Sequence, residues 1–107
     1  MNEHDYDKLL NIKTHGKGSP DNVTHYYPYE PTPYEALEIL FNQYEVNGSD
    51  QFVDFGCGLG RLNFYLHYHF RVKVTGIEMD ELSYRKALKN KDSYAKKIKH
   101  SVENITF

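Results

Sequence analysis

The residues best able to do chemistry lie in "FVDFGCGLGR", Phe52 to Arg61, and in "GIEMD", Gly76 to Asp80. Gly56, Gly58 and Gly60 fall at alternate positions, with Asp54 two residues ahead of the first and Arg61 directly after the last. Glycine lacks the Cβ that would hold a ligand off the backbone, and it accepts the dihedrals of a tight turn. Where a helix follows, its N-terminus adds free N–H groups and partial positive charge for a carboxylate or phosphate. Glu78 comes 18 residues after Gly60, where an acid can accept hydrogen bonds from both hydroxyls of a ribose. The implied ligand has an anionic part and a ribose. A dinucleotide is disfavoured, because G-x-G-x-x-G needs its last glycine where Arg61 stands.

Other reactive residues read as scaffold. Nothing places a base beside Cys57, so it is a small loop residue and not a nucleophile. The histidines at 4, 15, 25, 67, 69 and 100 show no metal-ligand spacing. "GKGS" at 16–19 lacks the upstream glycine of a phosphate loop. Asp80 suits the cap of a following helix better than a second ribose contact.

The elements that position the loop follow from periodicity. Thr32, Pro33 and Glu35 form a T-x-x-E start to a helix whose Leu37, Leu40, Phe41 and Tyr44 make one buried stripe, ended by Asn47-Gly48. "QFVDF" (51–55) reads as a strand running into the glycines. Residues 59–70 read as a helix with Leu62, Tyr65, Leu66 and His69 on one face. "VKVTGIE" (72–78) is a second strand, and 80–100 is a helix, interrupted near 90–92, with Leu82, Ala87 and Leu88 inward. "NITF" (104–107) has strand composition. Alternating strands and helices predict a parallel sheet with right-handed crossovers. Residues 1–31 show no convincing hydrophobic period beyond a short "YDKLLNI" and read as an N-terminal loop segment, with Thr14–Asn22 a flexible loop broken at Gly16, Gly18 and Pro20. The aromatic, proline-rich run from His25 to Tyr34 lies against something, with Tyr29, Thr32 and Tyr34 as candidates to line a pocket.

Composition bounds the rest. The 107 residues are 39% hydrophobic and 26% charged, enough for one small domain. No apolar run nears the ~20 residues of a membrane span, and the acidic start is unlike a signal peptide. A soluble, cytoplasmic chain is expected. The net charge of −2 hides a basic excess at 85–99, which reads as a solvated helix face before it reads as a polyanion site.

At "VDFGCGLGR" and "GIEMD" the chain resembles the class I S-adenosylmethionine-dependent methyltransferases, over about Thr32–Phe107. The resemblance implies a Rossmann-like α/β fold and S-adenosylmethionine as cofactor. It also implies roles: Gly56, Gly58 and Gly60, with Cys57 between them, pass backbone close to the methionine portion. Asp54 holds the loop and orients the cofactor's amino group, Glu78 binds the ribose hydroxyls, and Met79 packs on the adenine. No metal is implied.

The family's sheet has seven strands, of which this chain supplies two and the start of a third. The expectation is therefore a truncated Rossmann-like fold, a parallel sheet of two to three strands flanked by helices. An N-terminal loop and aromatic cover segment (1–31) precedes the partial cofactor-binding domain (32–107). The catalytic residues and methyl acceptor (RNA, protein or small molecule) are not readable, and the isolated chain is expected to lack turnover. The first strand would be an apolar edge open to self-association. The alternative is a non-catalytic adenosyl-ligand-binding or interaction module.

Overall fold

The computed structural model describes residues 1–15 and 30–107. Its elements are α1 (Glu3–Leu10), α2 (Tyr34–Gln43), β1 (Gln51–Phe55), α3 (Arg61–Phe70), β2 (Lys73–Ile77), α4 (Glu81–Lys97) and β3 (Ile105–Thr106). The strands form one parallel sheet in the order β1-β2-β3, with Asp54 beside Gly76 and Val74 beside Ile105. This is the expected α/β pattern of a parallel sheet flanked by helices, the Rossmann-like methyltransferase arrangement.

The core gathers where β2 meets the helices. Val72, Val74, Phe64, Leu66 and Ile105 are fully sealed from solvent, with Tyr34, Tyr94 and Leu10 closing around them. Alternate positions on β1 and β2 face the other way, because strand side chains alternate. Val53 and Phe55 therefore remain exposed on the sheet's edge strand, Phe55 at 77%.

Several local expectations are corrected. Residues 3–10 are not loop: Asn2 caps α1 by accepting from Asp5 N (2.8 Å), and Tyr6 and Leu10 are buried. A helix of eight residues is too short to hold by itself; Tyr6 stacks on Tyr34 with ring centroids 4.2 Å apart and docks it. The start of α2 has Pro33, not Thr32, at its cap, and no side-chain capping bond. Its free Tyr34 N–H is satisfied from α1, by the Glu3 carboxylate (3.2 Å to Oε1). That helix ends at Gln43, short of Asn47-Gly48, and its Leu40 and the following Tyr44 are more than half exposed.

Helix α3 buries Tyr65 and Leu66 as predicted, but Asn63, Phe64 and His67 are buried with them, while Leu62 is only half-buried and His69 is exposed. Helix α4 runs unbroken through 90–92, because Asn90 is anchored: it accepts from Lys13 N (2.9 Å) and donates to Leu59 O (2.9 Å). Ala87 packs inward as expected, whereas Leu82 and Leu88 are exposed and Tyr94 takes the core position. The histidine in the core is neutral in character. His67 accepts at Nδ1 from Tyr94 OH (2.7 Å) and donates from Nε2 to Ser101 O (3.1 Å), and burial holds its pKa below the usual value. No helix among the described residues is long and apolar enough to cross a membrane.

Candidate functional site

The turn from β1 into α3 is built by its own backbone. Gly56 N and Cys57 N both donate to Ile77 O at the end of β2 (2.7 and 3.0 Å), and Gly60 N donates to Cys57 O (2.9 Å). This ties the loop to the carboxyl ends of both strands, where open parallel sheets present their ligand crevice. Gly56 and Gly60 have φ of +72° and +93°, a region that side chains with a Cβ rarely enter. Their surroundings differ. A methyl added to Gly56 would meet nothing within 4 Å, whereas one added to Gly60 would strike Phe64 Cε2 at 2.7 Å and Phe107 Cζ at 2.9 Å.

A cavity of about 310 Å³ opens at this turn. Five of the residues singled out in the sequence meet there: Asp54, Gly56, Cys57, Gly58 and Glu78. Gly60 and Met79 are not among its described lining residues; Gly60 is turned to the two phenylalanine rings, and Met79 is 96% exposed. Thr32 lines the cavity with Glu30 and Pro31. Tyr34 instead lies buried behind it, donating from its hydroxyl to Asp7 Oδ1 (2.5 Å). Tyr29 falls outside the described residues.

Glu78 is spent partly on the loop itself. Its Oε1 accepts from Gly58 N (2.7 Å) and its Oε2 from Asp80 N (2.9 Å). Each carboxylate oxygen retains a second lone pair for a hydroxyl donor. Asp80 caps α4 by accepting from Ser83 N (3.0 Å), as its place in the sequence predicts, and both residues also line the cavity. Burial, reinforced by the nearby Glu78 charge, raises the pKa of Asp54. The Cys57 thiol is pushed up to about 12 by burial and by the Asp54 and Glu78 carboxylates, so it is not the thiolate that nucleophilic chemistry requires.

Two positions become visible only in the fold. Asn63 is fully buried on α3; its amide donates to Asp54 Oδ2 (3.0 Å) and accepts from Gly76 N (3.3 Å), joining β1, β2 and α3 behind the cavity. A short amide side chain in a helix rich in leucine and aromatic residues is the signal that could have found it. Arg61 stands out in the sequence only as the residue that breaks a dinucleotide motif, yet it is 3% exposed and lines the cavity. Its partners lie far away in sequence, at Glu3, Thr14 and Thr32, so no local pattern could announce them. Among the described residues, no group of three or more His, Cys, Asp or Glu side chains is placed to hold a metal ion.

No curated protein matches the chain. The family model described as "Histone methylation protein DOT1" matches residues 19–105. That span is most of the chain, and it contains β1, the glycine loop, β2 and Glu78. The chain belongs to the DOT1 histone methylation family, a family of methyltransferases.

Proposed function

We propose that this member of the family binds S-adenosylmethionine in the cavity above the β1–α3 turn and serves methyl transfer to a protein acceptor of the histone class. The observation that carries the reading is the charge of the cavity wall. Its described residues include four carboxylates, Glu30, Asp54, Glu78 and Asp80, against a single guanidinium, Arg61. A dinucleotide would bring phosphates against those carboxylates. S-adenosylmethionine brings an ammonium, a sulfonium, one carboxylate and a ribose diol. Opposite charges a few ångströms apart in a partly buried site interact strongly enough to discriminate between the two.

Bound there, the cofactor supplies a methyl group activated by the sulfonium. In this reading Asp54 and its neighbours favour the ligand's positive charges, Glu78 accepts from the ribose, and Gly56 lets the backbone approach without a side chain between. The rate comes mainly from holding donor and acceptor in line. The histone acceptor rests on the family's name, and it would place the chain with chromatin rather than in the cytoplasm.

The test is calorimetric titration of the wild type and Glu78→Ala with S-adenosylmethionine, S-adenosylhomocysteine and NAD. The wild type takes both adenosyl ligands and not NAD. Losing charge-assisted hydrogen bonds of ~1.5–3 kcal/mol weakens Glu78→Ala by roughly 10-fold or more. No heat with either adenosyl ligand, or tighter binding of NAD, would sink the assignment. Transfer of a labelled methyl group to purified histones then reads the acceptor.

A further inference from the structure

The fold brings together two histidines that lie 11 residues apart in the sequence. His4, in the first turn of α1, places its Nδ1 3.3 Å from Nε2 of His15, and the rings meet edge to face with centroids 5.0 Å apart. The second ring is held from behind. Its Nδ1 donates to Asp7 Oδ2 (2.7 Å), and the backbone N of His15 donates to the same oxygen (3.0 Å). Asp7 is 1% exposed. Burial alone would raise its pKa, but hydrogen bonds from Tyr34, Thr14 and His15 outweigh it and hold the carboxyl below its usual value. An ionised carboxylate only accepts, so His15 carries its proton on Nδ1 and turns the Nε2 lone pair toward His4.

At 3.3 Å the two nitrogens lie beyond the ~2.7–3.2 Å of an ordinary N–H hydrogen bond. Two nitrogens each ~2.0–2.1 Å from one tetrahedral ion stand about 3.3–3.4 Å apart. A carboxylate behind an imidazole is also the device that fixes tautomer and ring direction in histidine metal sites. Both rings open on a cavity of about 490 Å³ that shares no described lining residue with the cavity at the β1–α3 turn. Among its described lining residues Asp7 is the one carboxylate, already engaged by Tyr34, Thr14 and His15, while Lys8 and Lys13 repel a cation held by charge alone. Calcium and magnesium, which need several oxygen ligands, are therefore a poor match. An ion that prefers imidazole suits the pair.

We propose that His4 and His15 bind one zinc ion, with Asp7 orienting His15 from behind and water from the cavity completing the coordination. The proposal is independent of the S-adenosylmethionine reading. The ion clips the start of α1 to residues 11–15, the segment whose Thr14 accepts from Arg61 Nε (2.8 Å).

The test titrates zinc chloride alone into metal-free wild type, His4→Gln, His15→Gln and His100→Gln by calorimetry. The wild type takes one ion. Losing either ligand weakens binding by roughly 10-fold or more, since even an outer partner is worth about that much. His100 is an exposed histidine outside this cavity, and His100→Gln stays close to wild type. At a hundredfold excess of zinc over its Kd the wild type melts roughly 10 °C higher, and the two ligand variants gain about half of that or less. Metal-free melting curves check that the variants fold. His4 stands outside the hydrogen bonds to Asp7, so His4→Gln answers even if His15→Gln loosens the chain. A wild type that takes no zinc overturns the proposal, as does undiminished binding in His4→Gln. An equal loss in His100→Gln marks loose surface binding and overturns it as well.

Discussion

Gly60→Ala and Gly56→Ala look alike in the sequence and differ sharply in the fold. At Gly60 the backbone sits at φ +93°, and the added methyl meets Phe64 Cε2 at 2.7 Å and Phe107 Cζ at 2.9 Å. Phe64 is fully buried and packs against Tyr94 and Phe107, so its ring has no free direction in which to retreat. The left-handed backbone costs a Cβ-bearing residue about 1–2 kcal/mol, and overpacking a filled core costs a further ~1–3 kcal/mol. The total of roughly 2–5 kcal/mol is a large share of the ~5–15 kcal/mol that holds a domain together. At Gly56 the backbone cost stands alone, since nothing lies within 4 Å of the new methyl. There the methyl enters the cavity instead, and the loss falls on ligand affinity. Urea unfolding of the two variants, with adenosyl-ligand titration alongside, checks both arms. With about 4–8 °C of melting temperature per kcal/mol for a chain of this size, Gly60→Ala should melt well below Gly56→Ala. Equal melting, or undiminished ligand affinity in Gly56→Ala, would refute the assignment of one glycine to packing and the other to ligand approach.

Two further outcomes follow from the buried polar groups. Asn63→Leu keeps the side chain close in length to asparagine but strands Asp54 Oδ2 and Gly76 N; the loss of buried partners predicts ~2–4 kcal/mol of destabilisation in urea, and a neutral result would deny Asn63 its bridging role. Acid should also weaken the fold from just below neutrality. Burial lowers the pKa of His67 in the folded state, so below the usual 6.5 the unfolded chain takes up a proton that the folded chain refuses. Stability then falls with pH at up to ~1.4 kcal/mol per unit. His69 is lowered in the same direction and adds less, because that residue is exposed. Asp54, raised by burial, acts in the opposite sense at lower pH, as its folded-state penalty eases. Urea midpoints at pH values of about 7.5, 6.5 and 5.5 should decline, less steeply in His67→Gln; a flat series contradicts the account.

The glycine turn is legible in the sequence because its determinants are local. Alternate glycines between a strand and a helix, with an acid at the end of the next strand, point to a ligand crevice, and five of the residues so marked do line one cavity. The strands at 51–55 and 73–77 are legible for the same reason, since β-branched and aromatic runs leave few alternatives. What no local pattern supplies is who stands opposite whom. Helix α1 is too short and polar to announce itself, and it exists because Tyr6 finds Tyr34 and Glu3 finds Arg61 and the open end of α2. Gly60 and Gly56 are equivalent in spacing; only the position of Phe64 and Phe107 assigns one to the core and the other to the cavity. Met79 stands out in solvent because its two neighbours, Glu78 and Asp80, are hydrogen-bonded to each other and Glu78 is held to the loop by Gly58. Local pattern therefore points to the kind of ligand, while long-range hydrogen bonds to Arg61 and Asn63 decide which side chains surround its site.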